Sequence, residues 1–134
     1  MNPKEIIEGN KLIAEFFGEK VNKPNNIDGF KEMVRLKSPD GKIGNWAYGQ
    51  IPDFSLLWDW LMPVIEKIES LGYDTQIDFG YNPYSKRADK MHYWTQIAKD
   101  QTADAIYGSS IKSKRESVWK AVIEFVKWYN KKNK

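Results

Sequence analysis

The sequence predicts an α/β protein of the α+β type. It reads as a single domain over residues 1–134, with a mainly antiparallel sheet of about four to five strands packed with three helices. Three observations carry this. Three segments repeat apolar residues every three or four positions, the spacing of a buried helix face. The segments between them alternate apolar and polar residues around turn-forming residues, as antiparallel hairpins do. A length of 134 residues suits one hydrophobic core. The order is α-ββ-α-ββ(β)-α.

The first helix starts at Asn2, whose side chain can cap it, and at Pro3, whose fixed φ suits the first helical position. Ile6, Asn10, Ile13 and Phe17 lie on one face, and Gly18 is a plausible C-cap. Residues 19–30, EKVNKPNNIDGF, read as a surface loop because Pro, Asn-Asn and Asp-Gly favour turns. A hairpin follows. KEMVRLK is one strand, SPDG a type I turn closed by a left-handed glycine, and KIGNWAYGQI the return strand. Trp46 and Tyr48 would share one of its faces.

The second helix is expected from about Asp53 to Leu71, with Leu57, Leu61, Val64, Ile68 and Leu71 as its buried stripe and Gly72 as its end. Trp58 and Trp60 flank that stripe and should pack under strands. Pro63 removes a backbone donor, so a kink near Asp59 or a break in two is expected. YDTQIDFGY and MHYWTQIA then alternate as a second hairpin, and ADAIYGSS is a weaker third strand. Ser113 and Glu116 have the spacing of a reciprocal capping box. Val118, Val122, Phe125 and Tyr129, widened by Trp119, Ile123 and Val126, form an apolar face broad enough to need a sheet. The basic residues of 127–134 read as a solvated, frayed tail.

NKLIAEFFG, WDWLMPVIEKIESLGY and VWKAVIEFVKWYN together resemble a group of small phage and prophage proteins of the Bacteroidetes. That group is similar in layout to the phage ABA sandwich domain family. The three segments cover about a third of the chain and all three expected helices. The resemblance implies an α-β-α layered domain of viral or prophage origin. The family is functionally uncharacterised, so the resemblance lends no catalytic residues. By association alone it implies an accessory protein that antagonises host defence and acts in the host cytoplasm.

Composition narrows the chemistry. Cysteine is absent, which removes disulfides, thiolate catalysis and cysteine zinc sites. There is one histidine, His92, whereas common zinc sites draw on several. No phosphate-cradling or nucleophile-elbow motif occurs. Asp74 and Asp78 share a strand face, but strand rise sets them about 13 Å apart, too far for a paired acid and base. No catalytic residue, metal or cofactor is therefore assigned. No apolar run approaches the roughly 20 residues of a membrane span. The first eighteen residues mix acids with apolar side chains and are not read as a signal peptide.

The formal charge of +3 is modest, but six Trp are many for this length. They point to surface contacts as well as core. GYNPYSKRADKMHYW, residues 80–94, gathers rings and cations at the second hairpin. Tyr81, Tyr84, Lys86, Arg87, Lys90, His92 and Trp94 are its candidate binding residues. Rings that stack and cations that neutralise suit a nucleotide or a single strand, and equally an acidic protein surface. A solvated hairpin tip accounts for the same residues, with Tyr81 and Tyr93 as a cross-strand pair. Trp128 lies half a turn away from Trp119 around the last helix, beside Lys127, Lys131 and Lys132. It either marks a partner or homodimer interface or folds over the helix end. The leading expectation is a non-catalytic inhibitor that binds a host protein. Sequestration of a nucleotide signal is the first alternative, and nucleic-acid binding the second.

Overall fold

The computed structural model describes residues 2–22, 32–80, 92–99 and 105–133. The contacts divide the chain into two compact units, Met1–Val64 and Ile65–Lys134.

In the first unit, helix α1 spans Pro3–Phe17. Asn2 Oδ1 accepts from Glu5 N at 2.9 Å, so the predicted cap forms. Gly9, Asn10, Ile13, Ala14 and Phe16 are its buried residues, so the face is centred a little off the predicted stripe. Buried Asn10 is paid for by a partner: its Nδ2 donates to Asp53 Oδ1 at 2.9 Å. Gly18 ends the helix, but in extended backbone rather than the left-handed region. Its glycine has another cause. A Cβ there would lie 2.3 Å from the Arg35 carbonyl oxygen, so the missing side chain lets the chain pass close to the sheet.

That sheet has the order β1-β2-β3, all antiparallel, with β1 at Glu19–Asn22, β2 at Glu32–Lys37 and β3 at Ile43–Ala47. Strand β1 replaces the start of the predicted loop. It is four residues long with one apolar side chain, too short and polar for its alternation to show. The β2–β3 turn is as predicted. Gly41 has φ +89°, Gly41 N donates to Ser38 O at 2.9 Å and Ser38 N to Lys42 O at 2.8 Å. A hydrogen bond from Ser38 Oγ, with another from Lys42 N–H, holds the Asp40 carboxyl below its ordinary pKa. The return strand stops at Ala47, and Tyr48–Gln50 form a 3-10 turn, so Tyr48 does not extend the Trp46 face. Val34 and Leu36 are buried, and α1 packs against β2.

Helix α2 spans Trp58–Ser70, and the boundary between the units falls inside it. It starts later than predicted because Asp53 organises the preceding residues as a turn. Its Oδ1 accepts from Ser55 N at 3.0 Å and from Ser55 Oγ at 2.5 Å. Pro63 therefore falls in the second turn of one continuous helix, and the predicted break does not occur. Leu61, Val64 and Ile68 are buried as expected and Ile65 joins them. Leu57 and Leu71, at 44% and 37% exposure, fall just outside the helix ends and leave the stripe. Trp60 meets the Trp46 ring edge-on at 5.7 Å. Gly72, with φ +98°, ends the helix as predicted.

In the second unit the sheet order is β4-β5-β6, again antiparallel, with β4 at Asp74–Gly80, β5 at His92–Ala98 and β6 at Ile106–Ser110. The α+β class and the antiparallel pairing hold, and the weaker third strand forms. The strands are divided between two three-stranded sheets rather than gathered in one sheet of four or five. Helix α3, Lys114–Lys132, lies on β5 and β6. Gly108 permits that approach, since a Cβ there would meet Ala121 N at 2.3 Å and Ser117 O at 2.4 Å. Buried Thr95 Oγ1 and Ser117 Oγ lie 3.0 Å apart. Ser117 Oγ already donates to Lys114 O, which makes Thr95 the donor.

Two expectations about α3 need correction. The tail does not fray at 127, because the helix continues to Lys132. Basic side chains in its last turn complement the negative end of the helix dipole. The capping box is not reciprocal. Ser113 Oγ does accept from Glu116 N at 3.0 Å, but Ser113 N donates to Ser110 Oγ, and Ser110 Oγ donates to Glu116 Oε2 at 3.0 Å. Ser110 thus stands between the two residues that the motif pairs directly.

Candidate functional site

Alternation gives the second sheet two faces. Thr75, Ile77, Thr95, Ile97 and Gly108 turn toward α3, as the Thr95–Ser117 bond and the Gly108 contact require. The opposite face carries the even-numbered residues of β4 and β5, with Tyr107 and Ser109 of β6. Trp94 lies at its middle, half-buried on the central strand, between Asp78 on β4 and Ser109 on β6. Gln96 follows Trp94 on the same strand face and pairs with Gln76 and Tyr107. This face therefore presents the Trp94 ring at its centre, with Tyr107 beside it on β6, among polar side chains.

A hollow of about 160 Å³ opens on the same face, lined by Asp74, Gln76, Gln96 and Ala98. The four form two cross-strand pairs, Asp74 with Ala98 and Gln76 with Gln96. The short Ala98 side chain leaves the space that its longer neighbours enclose. Two carboxylates, Asp74 and Asp78, are exposed along β4. Asp78 also accepts a hydrogen bond from Phe79 N at 2.8 Å.

The predicted binding residues separate. Tyr81, Tyr84, Lys86, Arg87 and Lys90 lie outside the described residues. Trp94 is on the face just described. His92 belongs to the same face but is fully buried, so it does not offer a surface to a partner, contrary to expectation. Trp128 belongs to the α3 side of the unit. Its ring meets Tyr73 edge-on at 5.8 Å and lies 5.9 Å from Phe125, with Lys132 Nζ 5.0 Å above it. It folds over the end of the core, the second of its two readings, and is not grouped with Trp94. At the hairpin's far end Phe79 pairs with Tyr93, centroids 4.8 Å apart, and Phe79 is 51% exposed.

Asp74, Gln76, Gln96 and Tyr107 were not singled out for binding from the sequence. Their signal was the alternation of β4 and β5, which gives faces but not register. Only the register, Asp74 opposite Ala98, brings the hollow together.

Among the described residues no group of three or more His, Asp or Glu side chains is placed to hold a metal ion. No described helix is long and apolar enough to cross a membrane. No family model matches the chain, and neither a curated protein nor a solved structure does.

Proposed function

We propose that this protein is a non-catalytic binding protein whose contact surface is the face of β4-β5-β6 turned away from α3, and that it binds another protein. The observation that carries the reading is Trp94, half-buried on the central strand with Asp78, Gln96 and Ser109 around it. A protein interface concentrates its energy in a few aromatic anchors and surrounds them with a polar rim. Tyr84, Lys86, Arg87 and Lys90, which lie outside the described residues, remain part of the proposed contact. The resemblance to phage and prophage proteins supports a host protein as the partner, inhibition as the outcome and the host cytoplasm as the place.

The test is affinity capture from a Bacteroidetes cell lysate, followed by binding measured with the purified captured protein. Trp94→Ala should weaken that binding by about 2 kcal/mol or more, some thirtyfold, measured at a temperature where chemical unfolding shows that the variant is still fully folded. Equal binding by the parent and by Trp94→Ala would refute the surface. A thermal shift with a nucleotide panel separates the alternative. A nucleotide held at a hundred times its Kd would stabilise the fold by about 2.7 kcal/mol.

A further inference from the structure

Resting on that reading, we infer that the hollow between β4 and β5 receives an arginine side chain of the partner. Its walls supply acceptors: the Asp74 carboxylate and the side-chain carbonyls of Gln76 and Gln96. Ala98 also lines it, and its methyl suits the apolar stem of a long side chain. A guanidinium carries five N–H donors in one plane and no acceptor. Three acceptors on two adjacent strands can take those donors from two sides, with Asp74 making the charge-assisted bond.

Charge selects in the same direction. This face carries Asp74 and Asp78 and, among its described residues, neither lysine nor arginine. The lysine next to the hollow in sequence, Lys99, lies over the Tyr73 ring at 5.9 Å, and Tyr73 packs on Phe125 of α3. A phosphate or carboxylate in the hollow would face Asp74 with no described cation of this face to offset it. An apolar side chain would leave three polar groups without partners, at a cost.

The probe is N-acetyl-arginine amide, titrated into the full-length, isotope-labelled protein and followed through the side-chain amide signals of Gln76 and Gln96. N-acetyl-citrulline amide has nearly the same shape without the charge, and N-acetyl-norleucine amide has only the stem. The arginine probe should shift both glutamine signals with a Kd in the range of about 1–10 mM. The two controls should not. Asp74→Asn should weaken the arginine probe roughly three- to fivefold, as the loss of an exposed charge pair would. Asp74 is exposed, so this change leaves the fold intact. Shifts of equal size with citrulline, no shift with arginine, or an Asp74→Asn protein that binds arginine as the parent does would each overturn the inference. The result is independent of the Trp94 experiment. Arginine binding alongside unchanged partner binding in Trp94→Ala would leave the hollow standing and remove the wider surface.

Discussion

Gly108 and Glu116 show how single residues hold α3 in place. At Gly108 the nearest atoms to an added Cβ are backbone, Ala121 N and Ser117 O, which cannot rotate away. Gly108→Ala should destabilise the protein by about 1–3 kcal/mol in urea unfolding. Gly49→Ala is the control, because nothing lies within 4 Å of its Cβ position. Glu116 is a different case. Burial pushes its carboxyl upward, but hydrogen bonds from Lys120 and Ser110 and the Lys120 charge outweigh that and leave its pKa below the ordinary value of 4.5. A lowered folded-state pKa means the charged form supports the fold. That support is complete above the unfolded value and fades as pH falls through the folded one. Parent and Glu116→Gln should therefore differ most in melting temperature at neutral pH, and converge as pH drops below about 4.5. A difference that stays constant down to pH 2 would argue against the charge. The Ser113 cap could be read from its spacing, but Ser110 could not. Its part depends on where β6 ends relative to α3, which local sequence does not state.

At the level of elements, periodicity placed the three described helices, turn chemistry placed Gly41 in left-handed backbone, and Gly72 ended α2 as expected. The errors have separate causes. Helical spacing carried the α2 stripe past its true ends to Leu57 and Leu71, because apolar residues beyond a helix continue the pattern without continuing the structure. Strand β1 was invisible because it borrows its hydrogen bonds from β2 rather than declaring itself through alternation. Trp128 is the instructive intermediate. Its angle from Trp119 predicted some exposure, and it is half-buried, yet Tyr73 enters from outside the helix to meet it. Trp128→Ala should accordingly lower stability by about 2 kcal/mol, measured by chemical unfolding. A purely surface tryptophan would change it by less than about 0.5 kcal/mol.

For the molecule as a whole, the α+β class was legible because amphipathic helices and paired strands each need a partner layer. The division of the six described strands into two sheets was not. Every hairpin in the sequence is compatible with one continuous sheet, and only the strand pairing in the folded chain shows that β3 and β4 belong to different ones. The proposed contact face was legible in part. Trp94 stood out by residue type, whereas the hollow beside it is a product of register. The turn at Ser38–Lys42 has a consequence for how the chain reaches its final form. Its bonds all close within five consecutive positions, so β2 and β3 can find each other early and at little entropic cost. The pairing of β4 with β5 must first close the longer connection of residues 81–91. Nascent chains should therefore acquire the first hairpin quickly and the β4–β5 hairpin late, leaving the proposed contact face as one of the last parts to mature.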